Sequence, residues 1–399
     1  YQRAGERISA EATEYVRGIP VVKVFQQTVF SFKNFHDAIL SYRDLASSYS
    51  MTCRMPYTLF TVVMNSMFLL LMPLGMLLIG GAANGWAVLA DLVFYIFFAP
   101  QLAFMMERLM YAVNAKMEAA EAVKKLEVIL KESPLPEPAP AGRKSPADSS
   151  ISFDNVTFTY DGAARPALMN VRFHLPQGAA YALVGPSGGG KSTIARLIPR
   201  FFDVQEGAVL VGGQDVRSIP AAELMEQISF VFQEVHLFKK SIRDNIRAAR
   251  PNATEEEILQ AAQLAQCGDI LEKIPGGLDA VIGAKGVYLS GGEMQRIALA
   301  RAILKDAPIV VLDEASSFAD PENEVKIQKA FEALMKGKTV LMIAHRLSTV
   351  RRMDRILVIK KGVVAEEGKH DELIEKGGVY ASMWEEYQSA AQWKVGGEA

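Results

Sequence analysis

Apolar positions follow two kinds of pattern along this chain: long uncharged runs in its first third, then short strand-like runs separated by helical ones. Residues 6–23 are mixed polar and apolar. Over residues 21–35, Val22, Phe25, Phe30, Phe32 and Phe35 stand among polar side chains. That predicts a short amphipathic helix with flanking turns, although an ordinary packed helix has the same periodicity. A helical pattern over 34–55 leads into residues 56–79, about 24 positions without a charge. At ~1.5 Å per residue this is roughly 36 Å of helix, enough to span a bilayer with some tilt. The turn Gly80-Gly81-Ala82-Ala83-Asn84-Gly85 closes the run, and a second apolar run over 86–106 follows, broken only by Asp91. The pair predicts a membrane hairpin rather than the buried hairpin of a soluble protein, because one run carries no charge at all.

Flanking charge orients the hairpin. Arg43 and Arg54 precede it, Arg108, Lys116, Lys124 and Lys125 follow it, and the turn between has no Lys or Arg, so both ends face the cytoplasm by the positive-inside rule. Pro73, Gly75 and Pro100 are expected to bend the helices. Met64, Met67, Met72 and Met76 offer adaptable apolar surface, for lipid first and for a permissive substrate cavity second. Asp91, five residues from Trp86, reads as a group at the outer headgroups, with contact to a polar substrate as the alternative.

A helical pattern continues over 107–132, and residues 133–150 hold five prolines with Gly142, Ser145, Ser149 and Ser150, too polar and proline-rich to pack a core. From residue 151 the pattern changes to strands, first 151–160, then Asp161-Gly162 and a strand around 171–175, and strands alternate with helices to about residue 387. The expected organisation is therefore a partial α-helical transmembrane region over 1–132, a linker over 133–150, an α/β domain with a largely parallel sheet over 151–390, and a tail over 391–399.

Composition narrows this picture. With 43 basic and 45 acidic residues the net charge is −2, which leaves no electrostatic footprint for nucleic acid. Cys53 and Cys267 are far apart and match neither a metal-ligand spacing nor a disulfide framework, which suits a reducing cytosolic face. The chain opens on Tyr1 in a helical pattern with no signal-peptide character, so it is expected to be N-terminally incomplete.

The chemistry centres on Gly185-Pro186-Ser187-Gly188-Gly189-Gly190-Lys191-Ser192-Thr193, between the apolar run 179–184 and the helical opening 194–198. A strand, a glycine-rich loop and a helix in that order form a phosphate-binding loop. The glycines let backbone N–H groups converge on the phosphates, Lys191 supplies a positive charge, and the helix dipole favours an anion. Ser192 is the expected Mg²⁺ ligand. The apolar strand Pro308-Ile309-Val310-Val311-Leu312 ends in Asp313 and Glu314, with Asp313 expected to order Mg²⁺ and Glu314 to accept a proton from the attacking water. Leu289-Ser290-Gly291-Gly292-Glu293 opens a further helix, a second place where N–H groups and a hydroxyl can meet phosphate.

These motifs, in this order, resemble the ATP-binding cassette family over residues 151–387. The resemblance implies that Tyr160 stacks on adenine, that Gln233 belongs to a glutamine loop sensing Mg²⁺ and facing the membrane domain, and that Ser290, Gly291 and Gly292 belong to the signature. It further implies that Asp320 contacts a second cassette and that His345 contacts the γ-phosphate. Two cassettes would meet head to tail, each phosphate loop facing the other's signature. With Glu314, His345 and the signature all present, a hydrolytic site binding ATP and Mg²⁺ is expected.

The order of membrane hairpin and cassette on one chain is similar to exporter-like half-transporters. By that comparison 56–79 and 86–106 are the fifth and sixth spans, and 21–35 is a coupling helix docking on the partner's cassette near its glutamine loop. The expected setting is multi-pass in the cytoplasmic (inner) membrane, with the cassette in the cytoplasm, partnered by the bilayer and a second half-transporter, identical or not. Gly283-Ala284-Lys285-Gly286 stands where many members have Gly-Glu-Arg-Gly, and Glu293 replaces the more frequent glutamine. Together with Phe318-Ala319 before Asp320, this is similar to siderophore-associated members, some of which import. Export of a lipid, peptide or drug, siderophore import, and a soluble cassette ATPase are the functions in competition.

Overall fold

The computed structural model describes residues 2–19, 33–283, 287–313, 321–344 and 347–395. It divides into two units, Tyr1–Ser133 and Pro134–Ala399. The first is wholly helical among its described residues: α1 (Gln2–Arg17), α2 (Lys33–Asn65), α3 (Met67–Gly81) and α4 (Gly85–Leu130). The expected coupling segment 21–35 lies outside the described residues except for its last three positions, which open α2. Glu6 of α1 is ion-paired with Lys125 of α4.

The two apolar runs are long enough to cross a membrane, and their side chains point outward: Leu70, Leu77, Trp86 and Phe97 are each three-quarters exposed or more. A soluble hairpin would bury them. The prolines do not break the helices, since Pro56, Pro73 and Pro100 all lie inside continuous α-helix. The discontinuity falls at Ser66 instead. There the amide N–H of Leu69 donates to the Ser66 carbonyl at 2.9 Å, an i to i−3 bond that tightens one turn without orphaning the backbone. Asn84 caps α4 by accepting from the Ala87 N–H. Gly75 lies so close to α4 that a Cβ there would come within 2.6 Å of Leu92, which explains a glycine in an otherwise bulky helix.

The second unit is built on two sheets. A four-stranded antiparallel sheet has the order β2-β1-β4-β5, from β1 (Ile151–Phe158), β2 (Leu168–Leu175), β4 (Glu206–Val211) and β5 (Gln214–Asp215). A six-stranded sheet has the order β10-β9-β3-β8-β7-β6. Its members are β3 (Ala180–Val184), β6 (Ile228–Val231), β7 (Ile309–Asp313), β8 (Thr339–Ile343), β9 (Arg355–Lys360) and β10 (Val363–Gly368). All its pairings are parallel except the terminal β9–β10 hairpin. Parallel strands covered on both faces read as continuous apolar runs, and β7 and β8 are buried at every position.

Alternation along these strands serves two cores. Leu183, Val311 and Leu341 pack with Ile194 and Leu197 of α5 (Lys191–Leu197) and with Phe153 of β1. Val184, Val310, Leu312 and Val340 face the opposite way. There they meet α7 (Ile242–Arg247), α8 (Glu255–Leu264), α9 (Gly268–Lys273), α10 (Gly291–Lys305) and α11 (Pro321–Met335). Helix α6 (Ala221–Gln227) adds Leu224 to the core shared with α5; α12 (Leu347–Val350), α13 (His370–Glu375) and α14 (Val379–Val395) complete the unit. Helix α14 runs into the stretch expected as a tail. Cys53 is exposed on α2, whereas Cys267 is fully buried beside α9, where burial pushes its thiol up to about 12.

The proline-rich stretch 133–150 is strapped along the second unit. Arg200, held at φ 56° and ion-paired with Asp203, donates from Nη2 to the Pro136 carbonyl at 2.8 Å. Glu137 accepts from the Ala221 N–H, the Lys144 N–H donates to Ser218, and the Ala147 N–H donates to Gly212. Ser149 is buried against Thr339, hydroxyl to hydroxyl at 2.9 Å. Replacing Arg200 by Ala leaves Asp203 and the Pro136 carbonyl without this donor. We expect a loss of about 1–3 kcal/mol in denaturant unfolding and faster proteolysis between residues 134 and 146.

Candidate functional site

Register in the six-stranded sheet aligns three strand ends. Ile343 pairs with Leu183 on one side and with Asp313 on the other, so β3, β8 and β7 finish side by side. The carboxyl ends of parallel strands are where such sheets bind ligands. The phosphate loop leaves β3 at this edge and α5 begins at Lys191. Gly185 has φ 140°, and a Cβ on it would lie 2.0 Å from the Ile359 carbonyl oxygen, so the loop can hug β9 only with glycine there. Gly190 has φ 109° and is pressed against Ala167 and Leu168.

Lys191 is buried, and its Nζ donates to the carbonyl oxygens of Gly185 and Pro186, both at 2.9 Å, which holds the ammonium across the loop. Ser192 Oγ donates to Asp313 Oδ1 at 3.2 Å, and Asp313 is only 3% exposed. A hydroxyl and a carboxylate at this separation form a hard-oxygen pair that suits Mg²⁺, an ion that keeps most of its shell as water and phosphate oxygen. No group of three or more His, Cys, Asp or Glu that could hold a metal occurs among the described residues. The Tyr160 hydroxyl meets Thr193 Oγ1 at 3.2 Å, while its ring makes edge contacts with Phe158 and Phe202. The aromatic side chain is thereby fixed beside the first turn of α5.

Gln233 lies just past β6 and is exposed. With Asp313, Phe201, Phe232 and Phe238 it lines a cavity of about 830 Å³. Glu314, Asp320 and His345 lie outside the described residues. In sequence, Glu314 directly follows β7, and His345 comes two residues after β8.

Ser290, Gly291 and Gly292 stand on α10, packed on the sheet face opposite α5. Ser290 is the N-cap: its Oγ accepts from the Glu293 N–H, while the Ser290 N–H donates to Glu293 Oε2 at 2.7 Å. Glu293 also accepts from Lys273 Nζ at 3.0 Å. Burial by itself raises this carboxyl, but the Ser290 N–H and Lys273 bonds outweigh it and the net shift is downward. The unusual glutamate after the glycines is thus used as both cap partner and ion-pair partner. Gly292 is tightly placed, since a Cβ there would lie 3.1 Å from that of Asn323 and push it aside.

Two clusters carry no motif-like signal in the sequence. Arg296 of α10, 1% exposed, donates to the Gln266 carbonyl, to Asp269 and to Asn323 Oδ1, and Lys326 also reaches Asp269. The other joins Asn245 to Arg301. Spacing could not have found either, because their members come from separate helices.

The comparisons with known proteins agree on a class. The profile of the ABC transporter family matches residues 168–317. The ATP-dependent lipid A-core flippase of Escherichia coli (strain K12) is 49% identical over 238 residues, 59% of this chain and 41% of that protein. The flippase of Haemophilus ducreyi is 49% identical over 239 residues, covering 60% and 41% respectively. Among solved structures, a bacterial Atm1-family ABC exporter with ATP bound superposes with a TM-score of 0.79 at 31% identity, covering 96% of this chain and 69% of that one. The chain belongs to the ABC transporter family. Within it, the helical region followed by an α/β cassette is the exporter-like, type IV half-transporter architecture. It spans about 41% of the length of the curated relatives it matches. Nucleotide binding follows for the cassette from its family.

Asp269 supplies a pH test of the α9–α10–α11 network. Burial raises its carboxyl, hydrogen bonds from Arg296 and Lys326 lower it by more, and the result is about 2, against an ordinary 3.8. A depressed carboxyl adds stability above its unfolded pKa and loses it as pH falls through the folded one. The stability difference between wild type and Asp269→Asn should therefore be constant above about pH 5 and vanish toward pH 2, measured by urea unfolding at stepped pH.

Proposed function

We propose that this chain is the cassette-bearing part of an ATP-driven exporter in the cytoplasmic membrane, working as a dimer with a second half-transporter, and that its substrate is a lipid-like amphiphile. The observation that carries the ATPase reading is the Ser192–Asp313 pair beneath a loop whose lysine is already held in place. In this reading Tyr160 stacks on adenine, the loop from Gly185 to Thr193 cradles the phosphates, and Lys191 exchanges its carbonyl partners for phosphate oxygens. Ser192, Asp313 and Gln233 would hold Mg²⁺, and the ion would supply positive charge to offset that of the phosphates. Glu314 takes the proton of the attacking water and His345 contacts the γ-phosphate. Ser290, Gly291 and Gly292 complete the site of the partner cassette, and Asp320 meets that partner.

The transport reading rests on the outward-facing apolar side chains of α3 and α4, which suit hydrocarbon. The coupling segment 21–35 of one half-transporter would enter the aromatic cavity beside Gln233 of the other. Hydrolysis and phosphate release would separate the cassettes, and the membrane helices would follow. The lipid-like substrate is inferred from relatives described as flippases. Siderophore import finds no comparable support among them, and a soluble cassette does not account for the exposed apolar helices.

The test is ATP turnover and fluorescent-lipid translocation by the complete transporter in proteoliposomes. Glu314→Gln should lower turnover by about 10²-fold or more while ATP still binds, since it removes the general base. Lys191→Ala should abolish binding and turnover together. Turnover unaffected by Glu314→Gln would overturn the mechanism. Uptake of ferric siderophore in place of lipid movement would overturn the substrate and the direction.

A further inference from the structure

Asn245 is a heavily used polar side chain outside the nucleotide site. It sits on α7 with 0% exposure. Its Oδ1 accepts from the Phe238 N–H at 2.8 Å, and its Nδ2 donates to the carbonyls of Phe238 and Ser241, both at 3.0 Å. One amide thus closes the loop that begins just after β6 and carries Gln233. Arg301 of α10 reaches the same residue from the other side, Nε to the Asn245 carbonyl at 2.8 Å and Nη2 to Asn245 Oδ1 at 3.1 Å, with its guanidinium over the Phe238 ring. Arg301 stands about three turns along the helix that Ser290 caps.

Chemistry makes this an unusual choice for mere packing. Among the described residues Arg301 forms no ion pair, and burial pulls its pKa below the usual arginine value. A half-buried cation satisfied only by neutral acceptors is costly, and an apolar side chain would fill the space more cheaply. What the arrangement provides is direction: a planar fork that grips the backbone carbonyl and the side-chain oxygen of one residue fixes two elements in one relative orientation. Phe238, Gln233 and Arg301 all line the 830 Å³ cavity, so Arg301 forms part of its wall.

We propose that Asn245 and Arg301 form a positioning clamp that ties the Gln233 loop to the helix capped by Ser290, so that neither element can shift without the other. The inference deepens the function proposed above and rests on it for the roles of Gln233 and Ser290. Neither clamp residue is a catalytic residue; both act through others.

The experiment uses the complete transporter in lipid nanodiscs with three variants, Asn245→Ala, Arg301→Lys and the double. Hydrogen exchange without nucleotide should speed up about tenfold in both 233–241 and 289–293 for either single variant, because each removes the same tie. ATP turnover should show kcat lower by about tenfold with KM changed less than about twofold, and the double variant should be no worse than the worse single one. Arg301→Lys keeps the charge and carries the test if Asn245→Ala fails to fold. Loosening confined to the substituted element, additive losses, or a lowered thermal midpoint with unchanged kcat would overturn the clamp. A wild-type transporter that does not hydrolyse ATP would overturn the function proposed above, and the exchange pattern would then decide the tie on its own.

Discussion

The register between β3, β8 and β7 is the constraint on which the rest of this cassette depends. Because Ile343 sits between Leu183 and Asp313, the phosphate loop and the buried carboxylate emerge from one edge. Ser192 then meets Asp313 without distortion of the loop. Side chains alternate along a strand, so a slip of one residue would exchange the two cores and turn Asp313 to the other face. Because both faces of β7 and β8 are apolar, polarity alone does not forbid that slip, and the close packing of two differently shaped cores has to. Stability and chemistry are therefore set by the same pairing.

Much of this was legible in the sequence for a physical reason. A phosphate loop needs glycines where backbone crowds backbone, and Gly185 against Ile359 is such a place. A strand buried on both faces has to be written as an uninterrupted apolar run, as β7 is. A helix that begins at Ser290 needs a cap and a partner three residues on, and Glu293 is that partner. In the hairpin, the lack of charge over 56–79 reflects the same economy, since nothing nearby could compensate a charge.

Other features depend on who meets whom in space. The proline-rich stretch reads as a linker, yet its polar groups find partners in Arg200, Ala221, Ser218 and Gly212, all at least 64 positions away. Pro73 and Pro100 lie inside helices that continue through them, while Ser66, an unremarked serine, tightens the turn between α2 and α3. Asn245 and Arg301 are 56 residues apart and match no pattern. Local periodicity carries no information about such pairs, since each residue is ordinary in its own helix.

The two cysteines give the chain a pair of chemical clocks. Cys53 is exposed, whereas Cys267 is sealed in the second unit with its thiol held near 12. Only the thiolate is nucleophilic, and a buried thiol waits for its surroundings to open. A thiol reagent would therefore register accessibility around α2 promptly. It would register the rate at which the cassette opens only afterwards, within one unmodified sequence and with no engineered label.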